Sequence, residues 1–317
     1  MPKFLHVLNG DCTRIILEQT HLPGETVVWA DVLHDGPAPA GLSPDQWREL
    51  RFSPGDAMAG LRRADEQLAR HAEYDEVVFW FEHDLFDQLL LIRHLDWIKE
   101  QVEDRGRFRL ICIGSYPGRP RFSGLGELRP DELAALFPSR QPITDTQVAL
   151  GSVLWRAFGA ADPLPLARLV LETDTSPLPY VAGALRRHLE DFPSDVNGLA
   201  RTEHQILTVV AEGHRDAVDA FHANAQLEER VFMGDLTFFG ILKRLNTGRT
   251  PLLEHNGEWR GDVPPSGVFS LTAAGRRVLA GDADYIALNG IDRWMGGVHV
   301  RDGEYRWSKT RLTLVSR

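Results

Sequence analysis

The chain has 317 residues, 43% of them hydrophobic, and can bury a substantial core without a metal or disulfide framework. Its formal net charge is −10, and the acidity is uneven: residues 1–200 carry 20 basic and 30 acidic side chains, whereas residues 201–317 carry 15 of each. An acidic body argues against sequence-independent coating of nucleic acid, because that affinity comes from basic groups that neutralise phosphates. These counts do not exclude a local basic face on residues 201–317.

The cysteine count and the N-terminal residues bear on the compartment. Cys12 and Cys112 fall in or beside apolar runs, as expected of reduced thiols rather than a disulfide framework. The first residues, MPKFLHVLNGD, reach polar side chains after only a few apolar ones, which predicts neither a signal peptide nor a span of about 20 apolar residues. We therefore expect a cytoplasmic protein with no membrane role.

Residues 1–128 alternate short apolar runs with amphipathic stretches. The pattern predicts, in chain order, strands at 4–8, 26–30, 76–81 and 108–113, and helices at 13–19, 55–71 and 85–102, the last with a single apolar stripe. No element is predicted in the Pro/Gly-rich passage 35–54. Wholly apolar strands separated by helices are typical of a parallel sheet covered on both faces. We therefore predict an α/β domain with an open, mostly parallel sheet.

The rest of the chain changes character twice. Residues 129–197 form a predicted helical region, with helices beginning at 130 and spanning 145–158, 165–172 and 180–191, and no strand. Residues 198–317 predict helices at 202–212, 217–232 and 235–245, two strand-like pieces at 251–254 and 268–271, and a short helix after 272. Three helices followed by a two-stranded wing indicate a winged-helix-like domain.

Polar side chains follow each predicted strand of the α/β domain. In open parallel sheets ligands bind outside the carboxyl ends of the strands, so these residues are the candidates for a site. Together they are Asn9, Asp11, Asp31, His34, Asp35, Glu82, His83, Asp84 and Ser115. If the first three strands are neighbours, the set can bind a divalent metal or use a histidine beside a carboxylate as a general base.

Several of these residues also have a purely structural interpretation. Asp11 and Asp84 each precede a helix and can cap it, with Asp87 completing something like a capping box after Asp84. Asp35 belongs to an Asp-Gly turn dipeptide, and Ser115 can equally be a turn residue. Asn9-Gly10-Asp11 can cradle a phosphate at a helix start, although it matches neither the P-loop nor the dinucleotide fingerprint.

In the C-terminal part, the helix at 235–245 takes the place of a recognition helix. Thr237 is a candidate base contact, and Lys243, Arg244 and Arg249 are candidate phosphate contacts. The end that normally meets base edges instead holds Asp235 and two phenylalanines, which favours packing or protein contact over DNA. Trp294 and Trp307 can cover a base or a neighbouring domain, although the glycine-rich run around Trp294 suits a tight turn.

Two sets of residues resemble a known family. These are His6–Asp11 with Glu82–Leu89, and the tail Asp292–His299 with Tyr305–Trp307. They resemble uncharacterised bacterial proteins whose N-terminal domain is catalogued only as a domain of unknown function. The resemblance implies a bacterial, cytoplasmic setting and supplies no activity, so it assigns no catalytic residue.

The leading hypothesis is a ligand-binding protein or a hydrolase or phosphoryl-transfer enzyme that takes a nucleotide or another phosphate-bearing ligand. His83, His34 and Glu82 are its candidate catalytic residues, and Asp11, Glu82 and Asp84 would hold a divalent metal or orient the substrate. The alternative is a regulator or adaptor that senses a ligand in the α/β part and binds DNA or a protein through the winged-helix-like part. A scaffold whose strand-end carboxylates only cap and turn is a third possibility. The sequence predicts no oligomeric state.

Overall fold

A computed structural model describes residues 2–255, 257–261 and 263–316. The chain divides into two compact units. The first unit comprises the chain up to Asp162, together with Leu169–Leu185 and Gly296–Val298. The second unit comprises Pro163–Arg168, Arg186–Met295 and the chain from His299 onward.

The first unit contains a five-stranded sheet with the order β2-β1-β3-β4-β5. Its strands are β1 (Phe4–Leu8), β2 (Glu25–Val28), β3 (Glu76–Glu82), β4 (Phe108–Ile113) and β5 (Gln141–Pro142). The first four are parallel and β5 pairs antiparallel with β4, which confirms the predicted mostly parallel α/β sheet. Val7 pairs with Val27 on one side and Phe79 on the other, so β1 lies between β2 and β3.

The first eight helices lie largely where the sequence predicts them. They are α1 (Asp11–Glu18), α2 (Pro44–Arg51), α3 (Asp56–Ala69), α4 (Leu85–Gln101), α5 (Pro130–Leu136), α6 (Asp145–Phe158), α7 (Leu164–Glu172) and α8 (Val181–Leu189). Among the helices and strands up to α8, two were not predicted: β5, in the region expected to hold no strand, and α2, in the passage 35–54. A capping box starts α2, in which Ser43 and Gln46 bond each other's backbone N–H and Pro44 occupies the first turn.

The predicted apolar stripe on α4 is buried, but it is not the only buried face of this helix, which is buried on nearly every side. Its buried side chains include Leu90 and His94, which lie off the stripe. Helix α6 packs against α4, and its Gly151 comes so close that an added Cβ would lie 2.6 Å from the Leu95 side chain. A helix that packs against both a sheet and a second helix buries more than one of its faces.

The second unit is mainly helical, with short antiparallel strand pairs. Its elements are α9 (Arg201–Ala211), α10 (Ala217–Gln226), α11 (Asp235–Thr247), β6 (Leu253–Glu254), β7 (Ser270–Leu271), α12 (Ala273–Ala280) and α13 (Tyr285–Asn289), and in the tail β8 (Arg293–Met295), β9 (Val298–Val300), β10 (Tyr305–Ser308) and β11 (Thr313–Ser316). The three predicted helices are present, although α10 ends earlier than predicted. Ile206, Phe238, Leu242 and Phe269 are central in its core. Within the described ranges, no helix is long and apolar enough to span a membrane.

Candidate functional site

The carboxyl ends of β1 and β3 form the edge where the predicted site residues meet. From β1 the chain passes to β2 on one side and then returns to β3 on the other. Such a reversal of strand order opens a crevice at the carboxyl edge, and ligands of open α/β sheets bind there. The condition set by the sequence, that the first three strands be neighbours, is met.

Asn9, immediately after β1, links this strand to β3 and α4. Its Nδ2 donates to Glu82 Oε1 at 3.2 Å and to the Asp87 carboxylate oxygens at 3.1 and 2.9 Å. Thr13 donates from its hydroxyl to Asn9 Oδ1 at 2.9 Å, which fixes the amide orientation. The side chain of Asn9 is therefore held by bonds at both ends, and it holds two carboxylates in turn.

Asp84 and Asp87 bring two further carboxylates to the same place. Asp84 is the N-cap of α4 and accepts from the backbone N–H of Asp87 at 3.0 Å, which confirms the predicted capping role. Asp87 accepts from the backbone N–H of Glu82 at 2.9 Å. One oxygen each from Glu82, Asp84 and Asp87 lie within 4.8 Å of one another, and all three residues are buried. We call this group the carboxylate cluster.

Burial and mutual repulsion change the protonation of the carboxylate cluster. Burial raises the pKa of Glu82 well above its usual range, and the charges of Asp87 and Asp84 raise it further. Burial also raises the pKa of Asp87 to about 7, against the opposing effect of its hydrogen bonds from Asn9 and the Glu82 N–H. Two of the three carboxyl groups thus hold protons at pH values where exposed carboxyls are ionised.

The segment 122–127 covers the carboxylate cluster. Leu125 donates its backbone N–H to Glu82 Oε1 at 2.5 Å. Gly124 comes so near that an added Cβ would lie 2.2 Å from Glu82 Oε2, and only glycine allows this approach. Phe122 from the same segment stacks on the His83 ring at 6.0 Å between centroids, and Tyr180 meets that ring edge-on at 6.0 Å.

Asp31 does not belong to the carboxylate cluster, and its carboxylate forms an ion pair with an arginine. Arg51 donates to Asp31 through Nε at 2.7 Å and through Nη2 at 2.6 Å, and both side chains are almost fully buried. Trp47 donates to the same carboxylate at 3.2 Å. Asp31 therefore anchors α2 to the end of β2 rather than facing the crevice with a free carboxylate.

The remaining predicted residues occupy varied positions. Asp11 is the exposed first residue of α1 and pairs with Arg14, while Gly10 is the N-cap, so Asp11 is not the cap that one interpretation expected. Asp35 is exposed, and its carbonyl accepts from Arg51 at 3.0 Å. His34 packs edge-on against Phe86, in the first turn of α4, with 6.3 Å between ring centroids. Ser115 is exposed, two residues after β4.

Several contributors to this edge were absent from the predicted set, among them Asp87, Gly124 and Tyr180. Asp87 entered the sequence analysis only as a partner in a cap, yet an acidic residue in the first turn of a largely apolar helix is a signal that could have identified it. Gly124 and Tyr180 come from distant parts of the chain, and no local pattern marks them. The structure thus joins Asn9, Glu82 and Asp84 with Asp87 and places His83 beside them.

No protein-family model and no curated protein sequence matches the chain. The resemblance drawn from the sequence therefore stays a prediction, and the geometry of the site is what bears on function.

Proposed function

We propose that the first unit is a divalent-metal-dependent hydrolase or phosphoryl-transfer enzyme with its site at the carboxyl edge of β1 and β3. The observation that carries this proposal is the carboxylate cluster: three buried carboxylates within 4.8 Å of one another at the reversal of strand order. Buried like charges are costly unless they share protons or bind a cation. A cluster retained at that cost is a strong candidate for a functional site.

The donor set suits a hard cation. Carboxylate oxygens are preferred by Mg²⁺, Mn²⁺ and Ca²⁺, whereas sites for softer metals use thiolates and imidazoles. Glu82, Asp84 and Asp87 would hold the ion, which when bound acts as a Lewis acid and lowers the pKa of a coordinated water. Asn9 and the Leu125 N–H orient the carboxylates from outside, the arrangement that fixes metal ligands in many sites.

A phosphate group would fit the start of α1. This helix begins at Gly10 with no side-chain cap, and space is open where a Cβ on Gly10 would lie. Uncapped N–H groups at a helix start bind anions. In this proposal His83 or His34 moves the proton, since imidazole exchanges protons near neutral pH. The ligand is then a nucleotide or another phosphate ester.

A thermal-shift titration of the full chain with Mg²⁺, Mn²⁺ and Ca²⁺ tests the proposal. At about 100 times its Kd, an ion that binds only the folded state stabilises it by about 2.7 kcal/mol, an increase of several degrees in Tm. We expect this increase in the wild type and in Glu49→Gln, an exposed carboxylate on α2, and its loss in Glu82→Gln and Asp84→Asn. A shift that persists in both site variants, or no shift with any ion, would reject the metal site.

For the second unit we propose a winged-helix-like module that contacts a protein rather than DNA. Its helices α9 to α11 precede the β6–β7 pair in the order that the sequence predicted. Two candidate phosphate contacts are used within the unit: Lys243 donates to the Gly261 carbonyl at 2.7 Å, and Arg249 donates to the Leu288 carbonyl at 2.8 Å. Leu236, at the start of α11, is 68% exposed, which suits an apolar partner.

Introducing a charge at Leu236 distinguishes a protein partner from DNA. Leu236→Glu should abolish capture of a protein partner by the immobilised chain and leave Tm nearly unchanged, because the side chain is exposed. A gel shift at low salt with mixed genomic DNA fragments should show no binding by the wild type. Tight DNA binding that Arg244→Ala weakens would instead support the DNA interpretation.

A further inference from the structure

A cavity of about 410 Å³ lies within the second unit, between the start of α9 and the β10–β11 hairpin. This volume is within the range of small-molecule sites, about 300–1,000 Å³. Its apolar wall includes Leu199, the buried Trp307 and Leu312. Trp307 is fixed by its backbone, which bonds Pro193 and Asp195, so this wall exists before any ligand arrives.

The polar side of the cavity is cationic. Lys309 and His204 both line it, and they are close enough that the lysine charge, together with the larger effect of burial, lowers the pKa of His204. Among the described residues Lys309 has no ion-pair partner. Arg201 and Glu190 also line the cavity, but both charges are already paired: Arg201 lies 2.6 Å from Glu190 and 2.6 Å from Glu229, and Arg186 lies 3.3 Å from Glu190. Among the described residues, Lys309 therefore supplies the one unpaired charge of the cavity lining, and the imidazole beside it is neutral near pH 7.

Leu312 adds an independent observation. It is the one non-glycine residue in the described ranges with a positive φ, 54°. Leucine adopts this left-handed conformation only where the surroundings impose it, and residues held this way gather at ligand clamps. Glycine or asparagine would make the same hairpin turn with less strain. The leucine instead places an apolar side chain, 45% exposed, at the cavity.

We infer that this cavity binds a small organic monocarboxylate with an apolar or aromatic body, with the carboxylate at Lys309 and His204 and the body against Leu199, Trp307 and Leu312. A phosphate ester is less suitable, because its second charge would have no unpaired cation beside it: Arg201, the other cation of the lining, is already paired with Glu190 and Glu229. This is a second site, confined to the second unit and independent of the carboxylate cluster. A ligand there would act on the α9 end of the module.

Isothermal titration of the full chain with phenylacetate, indole-3-acetate and hexanoate, each to about 10 mM, tests the inference. We expect saturable binding of at least one acid and none of phenylacetamide, the neutral analogue of phenylacetate. Lys309→Ala should weaken binding about tenfold, as expected for loss of a charge-assisted contact. Lys309→Arg should restore it in part, and Lys99→Ala, an exposed lysine of the first unit, should leave it unchanged.

Leu312→Gly is a second variant that tests the apolar wall of the cavity independently of Lys309. Glycine relieves the left-handed strain, so Tm should hold or rise, while the loss of the apolar wall should weaken acid binding several-fold. Absence of binding by all three acids would overturn the inference. So would equal binding of phenylacetamide, or acid binding that Lys309→Ala and Leu312→Gly both leave intact.

Discussion

Replacing Arg51 with alanine should destabilise the first unit by about 3–5 kcal/mol, the usual cost of removing one partner of a buried ion pair. Arg51 is 5% exposed in its side chain and Asp31 is 1% exposed, so the variant would leave a carboxylate buried without its cation. The same guanidinium donates to the carbonyls of Val32, Asp35 and Pro37, and those acceptors would also lose their partner.

Urea unfolding followed by circular dichroism measures this loss, with Arg63→Ala as the matched control. Arg63 is an exposed arginine on α3, and its replacement should change the free energy of unfolding by less than about 0.5 kcal/mol. Asp31→Leu combined with Arg51→Leu should recover much of the stability, because no charge is then left buried. A loss below about 1 kcal/mol in Arg51→Ala would show that water reaches Asp31 in the folded state.

Replacing Glu82 with glutamine should stabilise the protein at pH 8, because burial and the charges of Asp87 and Asp84 raise the pKa of Glu82 and make its ionised form costly. The glutamine keeps a carbonyl oxygen for the Leu125 N–H and the Asn9 amide, but it removes one charge from the carboxylate cluster. Since the remaining charges of the carboxylate cluster repel less, Asp87 ionises more easily. Glu49→Gln, on the surface, should have little effect.

The pH dependence gives the sign of this effect. Asp87 has a pKa of about 7 in the folded chain against 3.8 ordinarily, so between these values the folded state holds more protons than the unfolded one. The wild type should therefore lose stability as pH rises from about 4 to 7, and the advantage of Glu82→Gln should shrink towards pH 5. Tm measured from pH 5 to 8 for both proteins tests this. A less stable Glu82→Gln variant at pH 8 would show that the ionised carboxylate is net favourable.

The sheet was predictable because its central strands carry continuous apolar runs. The run at 77–81 is typical of a strand covered on both faces, and the helices between the strands favour the parallel direction. The meeting of Asn9, Glu82 and Asp84 was predictable to the same extent, because each lies at or just after the end of β1 or β3. Sequence position alone could not show that Arg51 forms an ion pair with Asp31, because the pairing depends on where the fold places α2.

Other features required information beyond any local pattern. Ser43 and Gln46 carry a capping-box signature that would have located α2, had the prolines and glycines around it not suggested an irregular passage. Gly124 lies beside Glu82 in the fold, although more than forty residues separate them in the sequence. The sequence alone therefore gives no reason why position 124 should be a glycine. The second buried face of α4 was not predicted, because the periodicity of apolar residues identifies one apolar face and does not detect another.

The two-residue strand β5 also decides how the sheet can associate. It pairs Gln141 and Pro142 with Leu110 and Arg109 of β4, so a proline, which has no N–H to donate, lies on the outer edge. In the described part of the first unit the opposite edge is β2, only four residues long. Short strands and edge prolines prevent strand addition by other molecules. Amyloid-like stacking and sheet-extended dimers should therefore be disfavoured at both ends of this sheet.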